Sequence, residues 1–281
     1  MSFALVLNQQ NSVANTNNSV YSYQFLGGNF TVKNSEMCLS QATIPYSFFN
    51  VNNVYGNTIT FTWFTGSPII ITLPTGFYSV SDINQYLQNY FILNNYYLIN
   101  NIGQNVYFVN LFSNATYYAN QLIIQTIPTS AQATSYGYTA PSGWGGYPSV
   151  ATAPTVSFAL SGSISSLTGF TTGINYGGGT SNVSQLSQNV PLGSFVNSIV
   201  VRSNLVRNYV GNPTDILDSF PINSTFGSNI NYMPTFQKWV DISDGTYSSF
   251  TISLFNEQLQ PIVAQDNRSL LTLLIRKKLS F

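Results

Sequence analysis

The chain has 281 residues, with eight Lys and Arg against eight Asp and Glu and no histidine. The zero net charge provides no long-range field that would steer the chain to nucleic acid or to an anionic membrane. The missing histidine excludes Ser/His and Cys/His catalytic triads, and the single cysteine excludes an intramolecular disulfide and a cysteine-ligated zinc site. The length allows one large β domain or two small domains, each with a sizeable core.

The polar residues are mostly neutral. Charged residues make up 6% of the chain, whereas about 25% is typical of soluble domains. The chain also contains 19 tyrosines and 20 phenylalanines. Interfaces are depleted in Lys, Glu and Asp and enriched in aromatic residues. The composition therefore favours a subunit that buries much of its surface against neighbours.

The sequence pattern predicts neither a signal peptide at the N-terminus nor a membrane-spanning helix. The apolar run Phe3–Leu7 is short and follows no basic residue, and no window in the chain approaches 18 apolar residues. Residues 8–19 have no periodicity and few apolar side chains. We therefore expect residues 1–20 to form a flexible arm.

Short strands follow in chain order. β-branched and aromatic runs bounded by Gly, Pro or Asn predict strands. A single helix is predicted over about 81–92, because Ser81 is a good N-cap and Asp82 suits the helix dipole. Its apolar face is predicted to comprise Ile83, Leu87, Tyr90 and Phe91. The strands predicted up to residue 127 are Tyr21–Phe25, Phe30–Val32, Met37–Ile44, Thr58–Phe64, Ile69–Leu73, Tyr96–Asn100, Val106–Leu111 and Gln121–Ile127.

Residues 128–195 are the least regular part of the chain and are rich in Gly, Ser, Thr, Ala and Pro. We interpret them as a loop-rich insertion, which could form a separate protruding domain, with short strands at Val156–Leu160 and Ile164–Phe170. Further strands are predicted at Phe195–Arg202, Leu205–Val210 and Trp239–Ile242, and Thr251–Lys278 is interpreted as a closing hairpin. The pattern predicts an all-β fold, a single jelly-roll sandwich with one short helix, whose core comprises residues 21–127 and 196–281.

Catalysis would have to use carboxylates. The candidate pairs are Asp215 with Asp218, Asp241 with Asp244, and Glu257 with Asp266. A glycosidase needs two such groups about 5–10 Å apart in a cleft, and nothing in the spacing selects a pair. The glycine-rich stretches are not followed by a Lys-Ser/Thr pair, and the stretch Asp241–Gly245 lacks the further oxygen ligands of a calcium loop. We expect no enzyme activity, no cofactor and no metal.

Two groups of residues are candidates for contacts with a ligand or partner. The aromatic side chains of Tyr136, Tyr138, Trp144 and Tyr147 could stack on a sugar or fill an interface. The basic cluster Arg276–Lys278 ends an apolar strand. It could suppress edge pairing, or contact an acidic neighbour or genome phosphates, although three charges provide little affinity for nucleic acid. Cys38 lies between apolar neighbours and is interpreted as a buried core residue.

Three sequence blocks, in this order, resemble a known family. The first is Ile44-Pro45-Tyr46-Ser47 with Asn50, and the second is Leu73-Pro74-Thr75-Gly76-Phe77-Tyr78 running into the helix. The third comprises VVRSNLV, ILDSFPINSTFGSNINYMP and the terminal strands. Together they are similar to the vertex (penton) proteins of large double-stranded DNA viruses, virophages and related elements. The resemblance covers roughly residues 36–92 and 198–278.

The resemblance implies a single jelly roll that forms homopentamers at the icosahedral vertices, among trimeric major capsid proteins. It implies a virion protein made in the host cytoplasm, with a host receptor or fibre as a further partner. The alternative function is a jelly-roll lectin or fibre-type receptor-binding module that uses the loops of residues 128–195. A carboxylate glycosidase is the third hypothesis.

Overall fold

The structure is a computed structural model, and it describes residues 2–278. The described residues form 20 strands, three α-helices and two short 3-10 helices at Gln9–Asn11 and Ala115–Tyr117. The helices are α1 (Val80–Leu93), α2 (Ser130–Tyr136) and α3 (Ser165–Thr168). The strands are β1 (Ser2–Leu7), β2 (Val20–Gln24), β3 (Phe30–Val32), β4 (Ser35–Pro45), β5 (Thr58–Thr62), β6 (Ile69–Thr72), β7 (Leu98–Ile99), β8 (Asn105–Val106), β9 (Val109–Asn114), β10 (Ala119–Ile124), β11 (Thr155–Ser157), β12 (Asn175–Gly177), β13 (Val183–Leu186), β14 (Ser198–Ser203), β15 (Ile216–Pro221), β16 (Asn229–Tyr232), β17 (Val240–Ile242), β18 (Gly245–Tyr247), β19 (Ser249–Phe255) and β20 (Leu270–Lys277).

The chain divides into two compact units. Unit 1 combines the residues up to 49 with those from 195 onward, and unit 2 consists of Asn50–Ser194. This boundary differs from the predicted one, which assigned 21–127 to the jelly roll and 128–195 to an insertion. The reason is strand pairing: β11 and β13, from the predicted insertion, pair with β5 and β10. Residues 50–127 therefore belong with the insertion.

Unit 1 is a jelly roll of two antiparallel sheets. The strand order is β1-β20-β4-β16 in sheet 1, where β17 also pairs with β4, and β15-β14-β19-β2 in sheet 2. Lettered B to I along the chain, these eight strands read B-I-D-G and F-E-H-C, which is jelly-roll connectivity. The predicted all-β class and jelly roll are confirmed by this topology. Along the sequence, unit 2 is inserted between strands D and E.

The core of unit 1 follows from alternation along its strands. In β19, Phe250, Ile252 and Leu254 are buried and the residues between them are partly exposed. In β20, Leu271, Leu273 and Ile275 are buried in the same way. This period of two lets each strand present one apolar face to the opposite sheet.

The N-terminal residues are not a free arm, so this prediction is wrong for residues 2–7. Strand β1 pairs with β20 along its whole length, from Ser2 opposite Arg276 to Leu7 opposite Leu271. Leu5 and Leu7 are buried in the core. The continuous apolar run Phe3–Leu7 was the available signal, and its short length obscured it.

The closing segment is not a hairpin, which corrects the second prediction for the termini. Strand β19 lies in sheet 2 and β20 in sheet 1, so the chain crosses from one sheet to the other between them. Jelly-roll connectivity requires this crossing, whereas sequence proximity alone favours pairing of neighbours. The last strand β20 lies between β1 and β4.

Unit 2 contains a four-stranded sheet, β12-β11-β5-β6, a three-stranded sheet, β13-β10-β9, and the small pair β7-β8. Helix α1 buries Ile83, Leu87 and Phe91 of the face predicted for it, whereas Tyr90 is partly exposed. The ring of Phe91 lies 4.9 Å from that of Phe61 in β5. The N-cap is Ser79 rather than Ser81, and the Ser79 side chain accepts a hydrogen bond from the Asp82 N–H.

Two more helices correct the prediction of a single one. Helix α2 begins with a capping box between Thr129 and Gln132 and ends at Gly137, which adopts the left-handed conformation. The predicted strand over 164–170 contains helix α3 instead, and the predicted strand over 205–210 is a turn region. Cys38 is fully buried, and this burial raises the pKa of its thiol to about 11, which confirms the prediction of a core residue.

Candidate interaction surfaces

The predicted aromatic residues form two separate pairs in unit 2. Tyr136, at the end of α2, is 57% exposed and packs edge-on against Tyr138, with ring centroids 5.6 Å apart. The ring centroid of Trp144 lies 5.7 Å from that of Tyr147 and 5.5 Å from that of Trp63, and the two tryptophan rings are nearly perpendicular. Trp63 is buried. The second pair is therefore anchored to the core, and the first is the more accessible one.

The basic cluster at the end of β20 is largely engaged within unit 1. The Arg276 Nε lies 2.6 Å from a Glu36 oxygen, and its guanidinium lies 3.8 Å from the centre of the Trp239 ring. The Lys278 Nζ lies 2.6 Å from an Asp241 oxygen. Lys277 is exposed and has no carboxylate within ion-pair distance among residues 2–278. The structure thus separates the three charges rather than combining them into a phosphate site.

The candidate carboxylate pairs are also engaged in structural contacts. Asp215 receives a two-point hydrogen bond from Arg202, at 2.8 and 2.7 Å. The buried Asp218 accepts hydrogen bonds from Lys238 at 2.7 Å and from the Tyr232 hydroxyl at 2.9 Å. Asp244 accepts from the Asn34 N–H, in the turn that the sequence predicts before β18. These contacts account for the carboxylates as parts of the fold.

Neither carboxyl of the third candidate pair, Glu257 with Asp266, has the raised pKa of a general acid. Burial raises the pKa of the Glu257 carboxyl, but hydrogen bonds from backbone N–H groups and from Asn197 outweigh burial and lower it. The Arg268 guanidinium lowers the pKa of Asp266. A general acid in a glycosidase needs a raised pKa instead. The arrangement stabilises the ionised carboxylates.

One surface missed by the sequence reasoning is the outer face of sheet 1. Ala4 lies opposite Leu274 and Val6 opposite Thr272, so these residues and Leu270 share the face turned away from the core. Val6 is 48% exposed, and Leu270 is 39% exposed. We call these five residues the uncharged sheet face, which ends at the next outward residue of β20, Arg276, in its ion pair with Glu36. The apolar run Leu270–Ile275 predicted the strand, but a continuous aliphatic run does not show which of its faces is buried.

A second missed surface lies on the loops of unit 1. Met233 and Phe236, before β17, are 73% and 83% exposed. Tyr209 and Val210, in the loop after β14, are 71% and 97% exposed. Trp239 lines shallow depressions beside both loops. We call these five residues the loop apolar patch, and patches of this kind mark sites of protein contact.

Among residues 2–278, no cluster of three or more Cys, Asp or Glu residues is placed to hold a metal ion. In the same range, no helix is both long and apolar enough to cross a membrane.

Comparisons with known proteins found similar solved structures, among them two from virophages. No protein-family model matches the chain, and no curated protein matches it. The structure of the mavirus penton protein aligns with 11% identity and a TM-score of 0.43, over 98% of this chain and 97% of the mavirus chain. A chain of the Sputnik virophage structure aligns with 12% identity and a TM-score of 0.37, over 98% and 96% of the two chains. The strand order of unit 1, rather than these similarities, carries the assignment of a jelly roll.

Proposed function

We propose that the chain is a non-enzymatic structural protein that forms the icosahedral vertex of a double-stranded DNA virus or virophage. In this role it assembles as a homopentamer in the virion, next to major capsid proteins, after synthesis in the host cytoplasm. A fibre or host receptor is a further partner of the vertex. The observation that carries the proposal is the uncharged sheet face on a jelly roll.

The chemistry of this face supports assembly. The part of the outer side of sheet 1 that carries Val6, Thr272 and Leu274 has no charges, and it gains free energy when another surface covers it. The loop apolar patch adds Phe236 and Tyr209, which are of the residue types enriched in interfaces. A closed ring requires two different patches on each subunit, and unit 1 offers two.

The connectivity supports the same class. Jelly rolls with the strand order of unit 1 are common in capsid proteins and in lectins. The ionic groups of unit 1 pair with each other, as Arg202 does with Asp215 and Lys238 with Asp218. Few free charges remain to keep the subunit apart from its copies.

Native mass spectrometry of the purified chain tests the proposal. We expect pentamers that persist at about 1 M salt, because apolar contacts are not screened by ions. A glycan array on the same preparation tests the lectin alternative. A monomer or trimer that binds a defined sugar would overturn the proposal in favour of a receptor-binding module.

A further inference from the structure

A cavity in unit 2 combines a mostly apolar wall with one unused polar group. Its volume is about 500 Å³, within the usual range of small-molecule sites. It lies between the N-terminal turn of α1, the 3-10 turn after β9, helix α3 and the segment around Pro191. Ile83 and Leu167, both buried, form part of its wall together with Asn120.

The cavity wall is held in place by a buried side chain from the sequence motifs. Asn50, which is 1% exposed, accepts a hydrogen bond from the Tyr78 N–H at 2.8 Å. Its Nδ2 donates to the carbonyl oxygens of Tyr78 at 2.9 Å and Gly193 at 3.0 Å. Tyr78 and Gly193 both line the cavity. Asn50 therefore ties two segments of the wall together, and the cavity is preformed.

Asn120 supplies the unused polar group. The residue is 2% exposed, and its Nδ2 donates to the Thr168 carbonyl at 3.0 Å. Its backbone N–H and carbonyl both bond to Ser187. Asn120 lines the cavity, and among residues 2–278 its Oδ1 accepts no hydrogen bond. Buried amides normally use the acceptor as well as the donor, so a ligand that enters the cavity can donate a hydrogen bond to this oxygen.

We propose that this cavity binds a small apolar molecule that carries one hydrogen-bond donor, such as a phenol or an alcohol. The apolar body of the ligand lies against Ile83, Leu167 and Phe77, and its O–H donates to the Asn120 Oδ1. Such a ligand removes apolar surface from water and satisfies the buried acceptor at once. The site lies within unit 2, so the proposal stands independently of assembly at a vertex.

Titration calorimetry of the intact protein with 4-propylphenol and 4-propylanisole tests the proposal. The two probes share the aromatic ring and the oxygen, but only the phenol can donate a hydrogen bond. We expect saturable binding of the phenol, about threefold to tenfold tighter than that of the anisole, the effect of one hydrogen bond. Absence of saturable binding by both probes, or equal affinity for them, would overturn the proposal.

Two variants locate the binding. Ala115 is exposed and lines the cavity, so Ala115→Trp should obstruct it without touching the core and abolish binding of the phenol. Ala131→Trp, at an exposed position of α2 away from the cavity, is the matched control and should bind as the unmodified chain does. Asn120→Ala should bind the phenol and the anisole equally, because it removes the acceptor. Circular dichroism checks that this variant is folded. Unchanged binding in Ala115→Trp would place the probe elsewhere and contradict the assignment.

Discussion

At the residue scale, Asn50 shows how one buried amide can fix the local backbone. Its side chain makes three hydrogen bonds, to the backbone of Tyr78 and Gly193, across 28 and 143 residues of sequence. In the sequence, Asn50 was noted only as part of a motif that resembles the vertex proteins, and no structural role was predicted for it. Buried polar side chains of this kind specify one arrangement because each unmade bond is costly.

We predict that Asn50→Ala lowers the free energy of unfolding by about 3 kcal/mol, because it leaves buried backbone groups without partners. Urea denaturation followed by the fluorescence of Trp63 and Trp144 measures the change. Asn53→Ala, at an exposed position that bonds only to the Asn57 side chain, is the control and should cost less than about 0.5 kcal/mol. Equal effects of the two substitutions would show that Asn50 does not hold the wall.

Glu257 provides a prediction for pH. Its pKa is lowered in the folded chain, because hydrogen bonds from Asn197 and Ser198 outweigh burial. The unfolded carboxyl takes up a proton at about pH 4.3 and the folded one only below that. Its contribution is therefore present above this pH and lost as the pH falls through the lowered pKa. Asp82 and Asp266, whose pKa values are also lowered, add to the same trend.

We expect urea midpoints to fall steeply as the pH is lowered from about 5 to 3. Glu257→Gln should lower the midpoint at neutral pH and flatten this dependence, because the neutral amide cannot lose a charge. If the urea midpoint of Glu257→Gln falls as steeply with pH as that of the unmodified chain, Glu257 does not contribute to acid unfolding.

At the scale of elements, sequence reasoning succeeded where periodicity was long and failed where topology decided. Helix α1 was predicted because 14 residues carry a clear apolar face. The closing hairpin was wrong because β19 and β20 are sequence neighbours that lie in different sheets. Alternation identifies a strand, but it does not identify the partner of that strand.

The same limit applies to the candidate sites. The aromatic residues at 136, 138, 144 and 147 were identified by type, and the structure joins them in two pairs. The uncharged sheet face and the cavity were not predicted, because each is formed by residues that are distant in sequence. The capping box from Thr129 to Gln132 was a readable signal for α2 that the glycine-rich surroundings concealed.

Strand β1 provides a prediction with its own control. Leu7 is fully buried, so Leu7→Ala should lower the free energy of unfolding by about 2–5 kcal/mol. Val6, next to it, is 48% exposed, and Val6→Ala should cost less than about 0.5 kcal/mol in the isolated subunit. Urea denaturation of both variants measures the difference. A flexible N-terminal arm would predict small and equal effects.

Gly56 tests a close contact in unit 2. Its φ is +106°, and a Cβ placed there would lie 2.2 Å from the Ser163 carbonyl oxygen. We predict that Gly56→Ala destabilises unit 2 by more than about 1 kcal/mol, through strain and displacement of the backbone. Gly66→Ala is the control, because its nearest neighbour is 3.9 Å away and its φ is not in the left-handed range. Equal loss of stability in the two variants, measured by thermal denaturation, would contradict this contact.

At the scale of the whole molecule, the small number of charged side chains determines the character of the surface. The chain has 16 Lys, Arg, Asp and Glu side chains. Among residues 2–278, ten of them form five ion pairs. The remaining surface relies on neutral polar and apolar groups. Such a surface favours contact with other copies over dispersion as a monomer.

Electron cryo-microscopy of the purified oligomer tests this account most directly. We predict a five-fold ring in which contacts between copies cover the uncharged sheet face or the loop apolar patch, including Phe236. A monomer, or a ring in which both surfaces remain exposed to solvent, would contradict the account.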